Sequence, residues 1–72
     1  MRVFVYGKET DDGTWKAELW EERDTDRWII QQFKAWGKEG EVKWEPMGYE
    51  KIFHDKKTAE LTLSRLGYLP ID

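Results

Sequence analysis

Apolar and polar positions alternate along most of the first 54 residues, and clusters of turn-forming residues cut the alternation into strand-length pieces. Arg2 to Tyr6 sets β-branched and aromatic residues in succession and predicts a strand over 2–6. Gly7-Lys8-Glu9-Thr10-Asp11-Asp12-Gly13 follows as a polar loop ending in Asp-Gly, a pair that tolerates positive φ. Trp15, Ala17 and Leu19 then alternate with Lys16, Glu18 and Trp20, predicting a strand over 14–22 before Arg23-Asp24-Thr25-Asp26 interrupts it. A third strand is expected over 27–36, from the β-favouring run that ends at Trp36. Gly37-Lys38-Glu39-Gly40 makes the next turn, and a short strand over 41–45 leads to Glu45-Pro46-Met47-Gly48, which fits a type I turn with Pro second and Gly fourth. A last, edge strand is expected over 49–53.

The period changes at the end of the chain. Ala59, Thr62, Leu63 and Leu66 recur at helical spacing, and Asp55 stands where an N-cap carboxylate accepts from the free amides of the first turn. The spacing predicts a helix over 56–66. Gly67 supplies the position after the helix where a left-handed conformation is cheapest, and Pro70 prevents continuation. These elements predict the α+β class: an antiparallel β-meander of three to five strands, with the one C-terminal helix packed on one face, forming a single small globular domain over 1–72.

A domain of 72 residues buries only about 60% of its unfolded surface, so its core is thin and each aromatic matters. Five of those aromatics are tryptophans. One helix covers one face of a sheet, so strand register decides which tryptophans it covers. If Glu22 pairs with Arg27 across a four-residue loop, Trp15, Ala17 and Leu19 share a face with Trp28, Ile30 and Trp36, while Trp20 joins Ile29, Phe33 and Ala35 on the other. A one-residue change in the loop would instead place Trp20 with Trp28, Ile30 and Trp36. Both registers leave more apolar surface than the helix covers. Curling into a half-barrel, a homodimer through the open face, or a docked partner would each absorb it.

The absence of cysteine removes disulfides, thiolate zinc sites and a Cys nucleophile together. The N-terminal apolar run is too short for a secretion signal, and no run approaches the roughly 18 residues of a membrane span, so a cytoplasmic protein with no membrane association is expected. Catalytic chemistry has little to draw on. His54 is the one histidine and stands directly before the helix cap; Ser64 is the one serine and falls inside the helix. Asp11-Asp12, Glu21-Glu22 and Asp24 with Asp26 are acids of the kind that face solvent from turns, and the glycines fit neither a dinucleotide nor a Walker loop. No enzyme activity, metal or cofactor is expected.

Charge changes this picture. The net charge is −3, yet eight carboxylates between Glu9 and Asp26 face only Lys16 and Arg23, a local excess of six negative charges. An acidic segment beside an aromatic predicts a non-enzymatic protein-binding module whose site comprises Glu18, Trp20, Glu21, Glu22, Asp24 and Asp26 and whose partner has a basic surface. Mimicry of nucleic-acid charge is one form of that role. In size and composition the chain is similar to small accessory proteins of phages and mobile elements, many of which inhibit host or defence proteins; that analogy implies an inhibitor acting in the host cytoplasm. The alternative is a nucleic-acid-binding sheet face using Arg27, Trp28, Lys34, Trp36, Lys38, Lys43 and Trp44 for stacking and phosphate contact. A pI near 5.1 opposes it, because the long-range field of an acidic domain repels a polyanion.

Overall fold

The computed structural model describes residues 1–38 and 40–71. Four antiparallel strands run up and down as β1 (Arg2–Thr10), β2 (Gly13–Glu22), β3 (Arg27–Trp36) and β4 (Lys43–Phe53), followed by helix α1 (Lys56–Arg65) and a two-residue strand β5 (Leu69–Pro70). The sheet order is β4-β3-β2-β1-β5, so the meander is closed by a helix that carries the chain from the β4 edge to the β1 edge. The five strands and one helix form the expected α+β architecture, with the helix on one face.

Register is set by the β2–β3 loop. Glu22 pairs with Arg27, and from there Leu19 lies opposite Ile30, and Trp20 opposite Ile29. This is the first of the two registers considered from sequence. Asp26 closes the four-residue loop at φ 56, a conformation that aspartate tolerates better than most residues. The pleat then sends Tyr6, Ala17, Leu19 and Ile30 toward the helix, where they meet Ala59, Leu63 and Tyr68 in one buried cluster, with Phe4, Trp15, Trp28, Phe53 and Leu66 packed around it.

Both helix ends follow their chemistry. Asp55 Oδ1 accepts from the Thr58 backbone N–H at 2.8 Å, and its second oxygen accepts from the Thr58 hydroxyl at 2.8 Å. These bonds, the backbone one foremost, hold the Asp55 carboxyl below its usual range. At the other end Gly67 takes φ +90. Its N–H donates to Ser64 O and the Tyr68 N–H to Leu63 O, both at 3.0 Å, a complete Schellman motif. The helix thereby stops at Arg65, one residue short of expectation, and delivers Tyr68 into the core, where its hydroxyl donates to Gln32 Oε1 at 2.9 Å.

Two expectations are corrected, and one strand is added. The polar stretch 7–13 is not a loop: β1 runs on to Thr10, and only Asp11 and Asp12 turn the chain, with the Asp12 N–H donating to Thr10 Oγ1. A strand tolerates those polar residues because β1 pairs along its whole length with β2. Glu45-Pro46-Met47-Gly48 is likewise no turn. β4 is one eleven-residue strand, and the irregularity appears as a bulge: Ile30 pairs with Lys51 and Gln32 with Met47, leaving Gly48, Tyr49 and Glu50 opposite Gln31 alone. Pro46 is tolerated because β4 is the sheet edge, where a missing N–H leaves no ladder incomplete. Finally, β5 was not anticipated. It pairs with β1 at Tyr6 and Gly7, and the Ile71 N–H extends it by donating to Val5 O at 2.9 Å.

Candidate protein-docking face

The sheet has two faces of different character. On the helix side, the residues beyond the end of α1 form a ladder of alternating cations and rings. Lys8 pairs across strands with Trp15, and Trp15 with Lys34. The Lys8 ammonium lies 4.5 Å from the Tyr68 ring centre and 5.5 Å from that of Trp15, and Lys34 lies 5.8 Å from Trp15 and 4.5 Å from Trp36. Lys8 also donates to Leu66 O at 2.9 Å, bringing positive charge to the helix C-terminus, where the dipole favours it. At the helix start, Lys56 sits 4.7 Å over Phe4 and 5.7 Å over Trp28. Much of the tryptophan surplus is absorbed here, by lysine stems and ammonium groups that cover rings the helix does not reach.

No element covers the opposite face among the described residues. Its register places Val3, Trp20, Ile29 and Ile52 in one row straight across four strands. Val3 is 41% and Ile52 53% exposed. The Trp20 indole N–H donates to Glu18 Oε1 at 3.1 Å, so the ring lies along the face with its polar edge satisfied. A polar band follows, in which Glu18 pairs with Gln31. Beyond it a second apolar zone contains Phe33 and Pro46, directly paired, and Trp44. Lys16 spans this zone, its ammonium 5.1 Å from Phe33 and 4.8 Å from Trp44, and 3.6 Å from a Glu18 carboxylate oxygen.

The acidic segment does not form one patch. Its two turns lie at opposite ends of the ten-residue β2, about 30 Å apart at about 3.3 Å per residue. Of the six residues expected to bind a partner, Glu18, Trp20 and Glu22 share the open face, Glu21 points to the helix side, and Asp24 and Asp26 lie in the exposed loop. Three of these acids are ion-paired: Glu18 with Lys16 at 3.6 Å, Glu21 with Arg23 at 3.6 Å and Glu22 with Arg27 at 2.7 Å. The hydrogen bond from Arg27, then that from Thr25, holds the Glu22 carboxyl below its usual range. At the other end Glu9, Asp11 and Asp12 form no ion pair among the described residues, and Glu9 accepts only from the Thr14 hydroxyl.

The residues of the nucleic-acid alternative are divided too. Lys34, Trp36 and Lys43 share the helix-side face, with Trp36 opposite Lys43, and Lys38 follows in the next loop. Trp28 belongs to the same face but packs against the core at the other end. Arg27 and Trp44 are on the open face. His54 is exposed beside the helix cap, and no cluster of three metal-ligating side chains exists among the described residues. No described helix is long and apolar enough to cross a membrane. No family model, no curated protein and no solved structure matches this chain.

The open face also contains residues that sequence reasoning did not single out. Val3, Val5, Ile52 and Ile71 lie outside the acidic segment that drew attention to β2, and the alternation of β1 was the one signal that could have found the first two. Ile71 reaches the face through β5.

Proposed function

We propose that this chain is a non-enzymatic protein-binding module that docks a partner on the open face of its sheet. The supporting observation is the cross-strand row Val3, Trp20, Ile29 and Ile52, which lies on a face that no element covers among the described residues. Such a row has the composition of an interface centre: an aromatic anchor among aliphatics, with Glu18, Glu22 and Arg27 as a charged rim. Occupying a partner's surface is an activity that requires no reactive group, and it suits an inhibitor or an adaptor alike. A phage or mobile-element inhibitor of a host protein would act in this way.

The test is capture of interacting proteins by the wild-type chain and by Ile29→Glu, at low and high salt and after nuclease treatment. A partner held by the wild type and lost by the folded variant supports the proposal. Equal capture by both refutes it. The homodimer form of the idea is separated by sedimentation, which would show a concentration-dependent mass that Ile29→Glu abolishes.

A second use is favoured by one observation. Lys34, Trp36 and Lys43 come together on the helix-side face, with Trp36 48% exposed. That group suits a stacked base between phosphate contacts. Oligonucleotide binding that weakens with salt and is lost in Trp36→Ala would support this use; its absence at low salt would remove it.

A further inference from the structure

We infer that the β1–β2 end of the open face is a recognition trough for a partner segment in which an aliphatic or aromatic side chain stands next to lysine or arginine. This rests on the docking role proposed above and names the chemistry of the partner. The trough measures about 550 Å³ and is lined by Val5, Gly7, Thr14, Lys16, Trp44 and Ile71 among others. That volume accommodates a large apolar side chain together with part of its backbone.

The walls are positioned by backbone features rather than by chance contacts. Gly7 has no side chain, and a Cβ built there would lie 2.6 Å from Ile71 Cδ1, so Ile71 folds flat over the strand to form one wall. Its N–H bond to Val5 O fixes that position. Trp44 forms the other wall, its ring held by the Lys16 ammonium. Small residues, Gly7 and Thr14, leave the floor low between them.

Charge selects the occupant. Two lysines line the trough, and both ammonium groups are committed elsewhere: Lys8 to Leu66 O and the Tyr68 and Trp15 rings on the helix side, Lys16 to Glu18 and the Phe33 and Trp44 rings. Glu9 lines the mouth, where it pairs with Thr14, and Asp11 and Asp12 follow in the turn just beyond it; none of the three carboxylates forms an ion pair among the described residues. An apolar segment followed by a cation is complementary to both parts, and a segment carrying an acid at that position is repelled. The electrostatic focus therefore falls on Glu9, Asp11 and Asp12, not on the β2–β3 end, where arginines neutralise two of the acids.

The experiment is a titration of the ¹⁵N-labelled full chain with two capped hexapeptides, one placing Ile-Leu beside Arg-Arg and one placing Ile-Leu beside Glu-Glu. The expected result is shifts at Gly7, Thr14 and the Trp44 indole with the arginine peptide, and at least about tenfold weaker binding of the glutamate peptide, a ratio of the size close charge pairs produce at an interface. Glu9→Gln combined with Asp12→Asn should erase the preference while leaving the spectrum otherwise folded. Equal binding of the two peptides overturns the inference. So does an absence of shifts at the trough. Shifts confined to Val3, Trp20, Ile29 and Ile52 would leave the docking role standing and overturn the trough; dilution-dependent shifts at Gly7 and Trp44 without peptide would mean that a second copy fills it.

Discussion

Leu19 and Trp20 are neighbours on β2 with side chains on opposite faces, and truncating each to alanine measures what covers that face. Leu19 has no exposed surface and packs with Ile30 and Leu63 under the helix. Removing a leucine side chain from such a site costs about 2–5 kcal/mol. A domain of this size has a total stability of about 4–11 kcal/mol, at about 0.05–0.15 kcal/mol per residue. Leu19→Ala therefore removes about half of it and should lower Tm by on the order of 15–25 °C. Trp20, although larger, faces no covering element among the described residues. Its truncation forfeits cross-strand contacts with Val3 and Ile29 worth about 0.2–1 kcal/mol each, plus the indole bond to Glu18, so that about 1–2 kcal/mol and a Tm loss of about 5–10 °C are expected. Urea and thermal unfolding followed by circular dichroism give both values. If Trp20→Ala costs as much as Leu19→Ala, the open face is covered in solution and the assignment of faces is wrong.

Three further outcomes follow from the same contacts. Burial pushes the Tyr68 phenol up to about 12, above its unfolded value of about 10, so its stabilising contribution is complete below pH about 10 and is lost as pH rises toward 12; Tyr68→Phe should flatten stability against pH across that window, and tyrosinate absorbance should lose its last-titrating component. Asp55 is depressed instead, so its contribution is present above the unfolded carboxylate value of about 4 and is lost as pH falls through the lower folded value; Asp55→Asn should keep the helix cap while flattening the acid side of the stability curve. Lys8→Met retains the stem over Trp15 but loses the donor to Leu66 O, and denaturant unfolding should register a loss of about 1–2 kcal/mol.

How much of the fold could be read from the chain depended on whether a signal was local. β3 was placed from end to end because turn-forming clusters flank it, and the helix because Asp55 and Gly67 act on their own first and last turns. Pro46 and Gly48 misled because the same residues that make a type I turn also make a bulge on an edge strand, and only the position of β4 at the edge separates the two. β5 has no pattern of its own; two residues form a strand because the Schellman motif at Gly67 aims them at β1. For the candidate site, Trp20, Glu18 and Glu22 followed from alternation once the loop length was fixed. Val3, Ile52 and Ile71 come from three distant segments, and no local signal unites them.

The acidic run shows most clearly how sequence proximity differs from surface proximity. Eight carboxylates within eighteen residues look like one electrostatic feature, yet a hairpin turns sequence distance into length along a strand. A ten-residue strand carries Glu9, Asp11 and Asp12 to one end of the molecule and Asp24 and Asp26 to the other. At about 30 Å the two groups are separated by several Debye lengths at physiological ionic strength, so no single basic patch on a compact partner senses both. Lysines work in the opposite sense. Scattered through the chain, Lys8, Lys16, Lys34 and Lys56 come to lie over aromatic rings on both faces, and there they serve packing as much as field. What remains unspent is apolar surface on one face and negative charge at one end of it. Both meet at the trough between Ile71 and Trp44, where Glu9 at the mouth lets a partner gain from hydrophobic burial and from charge at the same time.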